Sequence, residues 1–372
     1  MTGLVPRRTD FEVIDAEPLL EDDSSTAADP NQELTPEAAA ALTRAGRVRT
    51  KDTYEERWRA FARWCAEKDR TPGPPTTQAN LTSYVHHLIN QTVPSTGRTT
   101  DPNTVRLAVA AIRHINKKRR QEPPDQGEAL ILLADYRHDW AEQGLSDRSS
   151  APIDLDRLAP MIAACRTDIP TGLRDRVILC LGYQMRARRS ELAKLKLHHL
   201  HFASLTLLIA RKATSKADKT SQGKNYEIDD PVTIAAVRAW IDVLAEHGQA
   251  DLTLPLLRRV DQWGNIAPIS SKGWGLTPHS INTIVKSIAH AAGIDDAEEI
   301  TSHGLRAGAP TDLGKRGYSA AEIRDMTGDW SSTEMVEKYR KIGRHRAGVR
   351  SDQGALISAL SMLRISGQQS DP

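Results

Sequence analysis

The chain has 372 residues and three cysteines, is 39% hydrophobic and 26% charged, and carries a formal net charge of +2. This length and hydrophobic content predict about two domains with real cores, whereas the apolar runs are far too short to cross a membrane. The scattered cysteines imply neither a disulfide framework nor a zinc site, and the N-terminus lacks a signal-peptide pattern, so we expect a cytoplasmic protein of bacterial or viral origin.

The N-terminal segment, residues 1–33, is acidic, rich in Ser, Ala, Asp and Pro, and predicts a disordered tail. Residues 1–45 contain ten acidic and three basic side chains, so this part carries −7 and the rest of the chain +9. A basic body with an acidic tail is typical of nucleic-acid binders, although this pattern alone is a weak signal.

Residues 34–142 predict a block of four amphipathic helices, at 52–68, 77–90 and 103–120 and around 135–142. In the third helix the apolar residues recur at helical spacing and Arg106 lies on the opposite side. This helix ends in four consecutive cations, Lys117, Lys118, Arg119 and Arg120. These cations either face DNA phosphates or form a solvated helix terminus, where the helix dipole already favours positive charge.

Residues 143–152 (QGLSDRSSAP) predict an interdomain linker, because Gly, Ser and Pro occur there without apolar periodicity. The following half, residues 153–350, predicts helices at 155–166, 174–184, 232–247 and 278–292. A strand at 205–212 and a second at 224–228 predict a hairpin whose long tip is rich in Lys, Ser and Thr.

The stretch 300–341 carries the residues best suited to chemistry. His303 and Arg306 lie three residues apart just after Ser302, a good N-cap, so both are expected to project from the first turn of one helix. Free backbone N–H groups and the positive end of the helix dipole make this turn suitable for a phosphate. Pro310 lies inside the same helix and predicts a kink that affects the aim of Arg306.

Further along, the sequence Gly328-Asp329-Trp330 follows a short predicted helix, and Tyr339 lies on the next helix, nine residues after Trp330. Taken singly, each of these residues is better explained as part of a packed helical core.

The order H-x-x-R, then G-x-W, then Tyr339 resembles the C-terminal motif of the tyrosine recombinase (phage integrase) family, most closely in its Cre-like form. The earlier arginine box of that family has its match in GYQMRARRSELAKLKL, where Arg188 is followed by Ser190, Glu191 and Leu192. The resemblance implies a mainly α fold with a small β-hairpin or sheet. It also implies a two-domain DNA clamp, made of a helical core-binding domain and an α+β catalytic domain.

The resemblance implies a role for each matched residue. Tyr339 would be the nucleophile, Arg188 and Arg306 would bind the nonbridging phosphate oxygens, and further donors would be His303 and Trp330. A proton-donating lysine is implied in the hairpin tip, where Lys216 is favoured over Lys219 and the alternative is a solvated turn lysine. Glu191 would orient the site. These residue types suit the reaction, because tyrosine can hold a phosphate covalently and arginine stays charged while its planar fork matches phosphate oxygens.

The resemblance also favours the DNA-facing interpretation of the helical block, with Arg106 and the four cations at 117–120 on phosphates. A strand-like segment at 254–262 resembles one in Cre-like members, and we expect its Arg258 and Arg259 to face DNA. The cluster His198, His199 and His201 lacks a carboxylate or thiol spaced for a metal, so we interpret it as a polar loop. No metal and no cofactor are implied.

The implied function is site-specific cleavage and rejoining of DNA through a 3′-phosphotyrosine. The partner would be double-stranded DNA with an inverted-repeat core site, bound by a dimer that pairs into a tetramer. An amphipathic helix in residues 351–372 would dock on a neighbouring protomer or fold back on its own chain. A telomere resolvase, a type IB topoisomerase and a catalytically silent DNA-binding regulator remain alternatives, while a metal-dependent nuclease would need clustered carboxylates that the motifs do not supply.

Overall fold

The protein structure, a computed structural model, describes residues 35–38, 48–94, 97–145, 150–213, 223–266 and 275–349. The chain divides into two compact units between Asp147 and Arg148. This division lies within the segment 143–152, while the full set of domain limits drawn from the sequence stays a prediction. The acidic tail, the hairpin tip with Lys216 and Lys219, and the terminal helix expected in 351–372 lie outside the described residues.

The first unit contains four helices and a small two-stranded ribbon. Its helices are α1 (Val48–Glu67), α2 (Gln78–Ile89), α3 (Pro102–Lys118) and α4 (Gly127–Glu142). The antiparallel ribbon joins β1 (Thr92–Val93) to β2 (Arg98–Thr99). Thr77 and Asp101 start α2 and α3 by accepting backbone hydrogen bonds with their side chains, which explains where these helices begin.

The core of the first unit combines aromatic and aliphatic side chains in one cluster. Among Phe61, Trp64 and Tyr84, one ring pair is stacked, one is edge to face and one is tilted, with ring centroids 5.1–6.2 Å apart. The predicted apolar stripe of α3 is buried against them, with Val105 and Ile112 fully enclosed. This burial leaves Arg106 exposed, as its position on the opposite side of α3 requires.

The cations that end α3 are all exposed. Two of them have partners within the unit: Lys118 Nζ lies 3.0 Å from Glu55 Oε1, and the Arg119 guanidinium lies 5.8 Å from the centre of the Trp58 ring. Both contacts are at the surface, so they leave the cations accessible to a phosphate backbone.

The second unit is mainly helical with one three-stranded sheet. Its helices are α5 (Leu155–Ala164), α6 (Pro170–Gln184), α7 (Arg189–Leu192), α8 (Pro231–Glu246), α9 (Pro278–Ala291), α10 (His303–Lys315), α11 (Ala320–Thr327) and α12 (Thr333–Arg346), with 3₁₀ turns at Leu197–His199 and Ala297–Glu299. The sheet order is β3 (Leu200–Phe202), β4 (Leu208–Lys212), β5 (Lys224–Ile228), all antiparallel. The predicted mainly α fold with a small antiparallel sheet is thus confirmed. Among the described helices, none is both long and apolar enough to cross a membrane.

The histidine cluster belongs to regular structure, which corrects its interpretation as a loop. His198 and His199 lie in the 3₁₀ turn, and His201 lies in the edge strand β3. Among the residues that the structure describes, no group of three His, Cys, Asp or Glu side chains could hold a metal ion.

The strand predicted at 254–262 is replaced by isolated bridges, of which one joins Lys196 to Pro255 and another Val260 to Ile266. The prediction that Arg258 faces DNA is wrong. Its side chain is fully buried and donates to the carbonyl oxygens of Pro255 at 2.5 Å and Gln249 at 3.0 Å. Backbone carbonyls here replace water as partners of a buried cation.

Arg259, its neighbour, is half-buried, and its Nε donates to the Gly275 carbonyl oxygen at 3.3 Å. A DNA contact for Arg259 therefore stays a prediction.

Helices α10 and α12 approach so closely that their backbones touch. A Cβ atom at Gly343 would lie 2.1 Å from the Thr311 carbonyl oxygen, and one at Gly314 would lie 2.7 Å from the Arg340 carbonyl oxygen. Any side chain at either position would therefore push the helices apart. This contact fixes the last turns of α10 against the last turns of α12.

A buried carboxylate holds the C-terminal ends of the same two helices. Asp154, 1% exposed as a residue, lies just before α5 and pairs with Lys315 Nζ at 2.9 Å and with the Arg346 guanidinium. Asp312 on α10 accepts hydrogen bonds from the Tyr183 hydroxyl at 2.7 Å and from the backbone N–H of Leu155 at 2.9 Å. The C-terminal parts of these two helices are thus tied to the start of α5.

Candidate active site

The second unit contains a cleft of about 180 Å³ between α7, α10 and α12. The cleft is lined by Arg188, His303, Arg306, Asp329, Trp330, Ser331, Ser332, Met335 and Tyr339. Five residues that the sequence analysis singled out therefore meet in one place, although Arg188 comes from a different part of the chain than the other four. The role of each residue stays a prediction from the resemblance.

The first turn of α10 begins at His303, as expected, but its cap differs from the expected one. Thr301 Oγ1 accepts the backbone N–H of His303 at 3.2 Å. The Ser302 hydroxyl is buried and donates to Asn282 Oδ1 at 3.0 Å, so it makes no capping bond. Ser302 therefore occupies the N-cap position, as predicted, but its side chain does not cap the helix because a tertiary partner on α9 uses its hydroxyl.

Arg306 is 2% exposed and is held by backbone atoms outside its own helix. Its Nη1 donates to the Arg186 carbonyl oxygen at 2.7 Å and its Nη2 to the Asp329 carbonyl oxygen at 2.6 Å. The guanidinium carbon also lies 4.6 Å from the centre of the Trp330 ring. Pro310 lies in α10, but the aim of this guanidinium is set by the two carbonyls and not by the helix alone.

Arg188 precedes α7 and is fixed by Glu191 one turn later. Glu191 Oε1 accepts from Arg188 Nη1 at 2.8 Å, and Oε2 accepts from the Arg188 backbone N–H at 2.9 Å. Glu191 is 8% exposed, whereas the Arg188 side chain keeps 30% exposure toward the cleft. One carboxylate thus caps the helix and orients the arginine.

Tyr339 lies on α12 and is 2% exposed. Its hydroxyl oxygen is 3.2 Å from His303 Nε2, and its ring packs edge-on to Trp330 with centroids 6.5 Å apart. Burial raises the pKa of Tyr339 and the Arg306 charge opposes this, so the phenol is protonated near neutral pH.

His303 can accept the phenolic proton. Its pKa is lowered because the cleft walls reduce its hydration and because Arg306 and Arg188 add positive charge nearby. The ring is therefore neutral near pH 7, and in the tautomer protonated at Nδ1 its Nε2 can accept the Tyr339 hydroxyl hydrogen. In this arrangement the tyrosine oxygen can lose its proton to the neighbouring ring.

The sequence analysis missed a buried ionic cluster behind the cleft. Asp329 accepts from Arg186 Nε at 2.6 Å, from Lys212 Nζ at 3.1 Å and from the Tyr226 hydroxyl at 2.6 Å, and Lys224 Nζ lies 3.5 Å away. Burial alone would raise the pKa of Asp329, but the Lys212 charge and the hydrogen bonds from Tyr226 and Arg186 bring it to about 2. The only signal in the sequence is adjacency, since Asp329 precedes Trp330 and Arg186 lies two residues before Arg188.

Two lysines at the base of the hairpin are described, and both point toward this cluster. Lys212 ends β4, is 3% exposed and also lies 3.5 Å from Glu191 Oε2. Lys224 begins β5 and donates to the Thr327 carbonyl oxygen. Lys216 and Lys219 fall in the gap at 214–222, so the choice between them stays a prediction.

The chain is similar in sequence to known proteins. Residues 153–345 match the model of the phage integrase family. An integrase/recombinase XerD homologue of Selenomonas ruminantium is 26% identical over 322 residues, which are 84% of this chain and 87% of that protein. The tyrosine recombinase XerD of Listeria innocua is also 26% identical, over 66% of this chain and 83% of its own length.

Among solved structures, the integrase of the Tn1549 transposon in complex with a circular intermediate DNA is similar at a TM-score of 0.51. It is 13% identical to this chain, and the match covers 81% of this chain and 92% of that one. At this identity the likeness shows a shared fold.

Proposed function

This chain belongs to the phage integrase family, and on that premise we propose that it is a site-specific tyrosine recombinase, which cleaves and rejoins DNA strands through a covalent 3′-phosphotyrosine. The observation that supports this most directly is the Tyr339 hydroxyl, 3.2 Å from His303 in a cleft that also contains Arg188 and Arg306. A nucleophile, a proton acceptor and two fixed positive charges are together what phosphoryl transfer without a metal requires.

In the forward step, the Tyr339 oxygen attacks the phosphorus of the scissile phosphodiester and its proton moves to His303 Nε2. Negative charge grows on the nonbridging oxygens, where Arg188 and Arg306 stabilise it. The Trp330 indole N–H adds a further donor. No carboxylate lies within ion-pair distance of Arg306 among the described residues, so its charge is available for the phosphate.

The bond that breaks joins phosphorus to the 5′ oxygen, which departs with a proton supplied by Lys216. The strand end stays attached to Tyr339 as a 3′-phosphotyrosine, so the bond energy of the phosphodiester is retained. A 5′ hydroxyl of another strand then attacks this intermediate, and the same groups return the protons. Rejoining to a new strand gives recombination without a cofactor.

The proposed substrate is double-stranded DNA with an inverted-repeat core site, bound by two copies of the chain, with four copies in the synaptic assembly. Two-fold symmetric DNA suits two identical chains that bind opposite half-sites. The terminal segment 351–372 is proposed to contact a neighbouring copy. A cytoplasmic location is part of the proposal, and it is supported by bacterial relatives and by a DNA substrate.

The alternatives have less support. A telomere resolvase or a type IB topoisomerase would use the same cleft, but the relatives are named as recombinases. A catalytically silent regulator would have no use for Tyr339, His303 and both arginines in contact distance of one cleft.

A direct test is to trap and sequence covalent protein–DNA ends after incubating the purified chain with chromosomal DNA that flanks its gene. We expect cleavage at one sequence, phosphate on the 3′ end attached to protein, and no loss of adduct in EDTA. Adduct spread over unrelated sequences would indicate a topoisomerase instead, and binding without any adduct would indicate the silent regulator.

The exposed end of α3 provides a second prediction, about DNA affinity. Replacing Lys117, Lys118, Arg119 and Arg120 by Ala should flatten the dependence of log K on log salt, because each phosphate contact contributes a slope of about −0.9 on duplex DNA. Titrations of the mapped site at several salt concentrations measure this slope. We expect the variant to keep its helical circular dichroism, since these side chains are exposed.

The matched control is Glu55→Gln, which removes the partner of Lys118 and leaves all four cations in place. This control should bind with an unchanged or slightly steeper slope. An unchanged slope in the four-residue variant would mean that this helix end is only a solvated terminus.

A further inference from the structure

The buried cluster around Asp329 connects parts of the chain that carry the two arginines of the cleft. Asp329 is 6%, Tyr226 5% and Lys212 3% exposed, and the side chain of Arg186 is 17% exposed. None of the four was expected to act in the reaction, and only Asp329 lines the cleft itself. A set of buried, mutually paired ionic groups next to a reaction centre is a candidate for a positioning role.

The cluster bonds Arg186 and Asp329 to each other in two ways. Directly, Asp329 Oδ2 accepts from Arg186 Nε at 2.6 Å, across 143 residues of sequence. Indirectly, the backbone carbonyls of these same two residues are the acceptors that hold Arg306, at 2.7 Å and 2.6 Å. The ion pair therefore sets the spacing of the two carbonyls that aim the catalytic guanidinium.

The backbone at Arg186 supports this interpretation. Its φ angle is +47°, in the left-handed region that side chains other than glycine rarely adopt. Such a conformation persists where surrounding contacts over-determine it. Here Asp329 holds the Arg186 side chain, and Arg306 donates to the Arg186 carbonyl. Both groups of Arg186 therefore contribute to the orientation of the Arg306 guanidinium.

Carbonyl anchors have an electrostatic consequence. A carboxylate bound directly to Arg306 would neutralise the charge that the phosphate needs, whereas a carbonyl orients the guanidinium and leaves it cationic. The carboxylate of Asp329 instead pairs with Arg186 and Lys212. Among the described residues, the one other acid within ion-pair distance of either cation is Glu191, which lies near Lys212. Lys212 in turn lies 3.5 Å from Glu191, which holds Arg188.

We propose that Asp329, with Arg186 as its main partner and with Lys212 and Tyr226 as supports, is a positioning residue that fixes Arg306 on the scissile phosphate. The inference rests on the proposed function, because it assigns Asp329 a role in the same reaction. A purely structural role would slow the cleavage of both charged and neutral DNA substrates equally. In the proposed role, the loss of Asp329 slows cleavage mainly when the scissile phosphate carries the negative charge that Arg306 recognises.

The test uses Asp329→Asn in the full chain and two DNA substrates with the mapped cleavage site. One substrate is ordinary DNA, and the other has a methylphosphonate at the scissile position, where a neutral methyl group replaces a charged oxygen. On ordinary DNA we expect single-turnover cleavage to slow roughly 10- to 100-fold, less than the 10²–10³-fold typical of a lost direct donor. On methylphosphonate DNA the defect should shrink to a few-fold, as it should for Arg306→Ala.

A double variant makes the pathway explicit. If Asp329 acts through Arg306, Asp329→Asn combined with Arg306→Ala should cleave no more slowly than Arg306→Ala alone. Multiplying defects, or an equal defect on both substrates, would overturn the proposal. The matched control is Asp325→Asn, an exposed acid paired with adjacent Arg324, which should cleave both substrates like the wild type.

Folding is checked by thermal unfolding of each variant. If Asp329→Asn does not fold, Tyr226→Phe carries the test, because it removes one hydrogen bond to Asp329 and keeps every charge. It should show a smaller defect with the same dependence on substrate charge, and a defect independent of charge would overturn the proposal. Wild-type protein that forms no adduct on any DNA would contradict the proposed function, whereas wild-type rates for Asp329→Asn would contradict this inference alone.

Discussion

Tyr339→Phe is expected to form no covalent adduct with DNA, while binding the same site with near wild-type affinity. The substitution removes only the hydroxyl that lies 3.2 Å from His303 Nε2, and it keeps the ring that packs against Trp330. Without that oxygen no bond to phosphorus can form, so the loss should be complete and not partial. A nicked suicide substrate that carries the mapped site, followed by denaturing gel electrophoresis, measures adduct directly.

Tyr318→Phe is the matched control, because Tyr318 is exposed and lies in the loop between α10 and α11. It should form adduct at the wild-type rate, with or without EDTA. Persistence of the adduct in Tyr339→Phe would assign the nucleophile to another residue. Loss of wild-type cleavage in EDTA would contradict the metal-free chemistry.

The second large effect concerns the proton that the departing 5′ oxygen needs. An alkoxide is a poor leaving group, so a positioned acid contributes roughly 10²–10⁴-fold. Lys216→Ala should therefore cleave ordinary DNA 10²–10⁴-fold more slowly. On DNA with sulfur at the 5′ bridging position it should cleave at nearly the wild-type rate, because a thiolate departs without a proton.

Three further variants test whether the rescue by sulfur is specific to Lys216. Lys219→Ala should have little effect on either substrate, and Arg306→Ala should stay slow on both, since the role proposed for Arg306 is on the nonbridging oxygens. Lys212→Ala should also stay slow on both, because its ammonium lies between Glu191 and Asp329 and orients the cleft. Rescue of Lys219→Ala or Lys212→Ala by sulfur would move the acid to that lysine. If no lysine variant is rescued, His303 becomes the next candidate for the acid.

Local patterns predicted the elements of the fold well. The apolar stripe of α3 gave a buried face, and the strand predicted at 224–228 is β5 with the same bounds. Helix α6 begins at Pro170, earlier than the predicted 174, because proline is favoured in the first turn of a helix. The strand β3 is three residues long and contains a histidine, too short and too polar for its alternation to be recognised.

Tertiary contacts account for the errors at individual side chains. Arg258 was expected to face DNA because its segment resembles a strand-like segment of Cre-like members, but its side chain is buried and donates to the carbonyls of Pro255 and Gln249. Ser302 has the right residue type for a cap, yet Asn282 takes its hydroxyl. The pairing of Arg186 with Asp329 has no local signature, since each partner is in a different motif.

The family motif predicted which residues would meet at the site. That prediction rested on the resemblance to the family, because the spacing of the residues alone does not bring them together. Arg188, His303, Arg306, Trp330 and Tyr339 do line one cleft, whereas their individual roles and the Cre-like assignment stay predictions. A motif records the residues that touch the substrate. The groups that orient them, such as the carbonyls on Arg306, are backbone atoms and leave no residue type to recognise.

The contact between Tyr339 and His303 within one chain has a genetic consequence. Because the proposed nucleophile lies beside the proposed phosphate-binding groups of its own chain, we expect that an inactive copy could not use a tyrosine from an active neighbour at the same strand. In a cell that makes wild-type and Tyr339→Phe chains together, the mutant copies would bind half-sites without cleaving them. A complete exchange needs every position filled by an active chain, so such an allele would be dominant, and increasingly so as the assembly contains more copies.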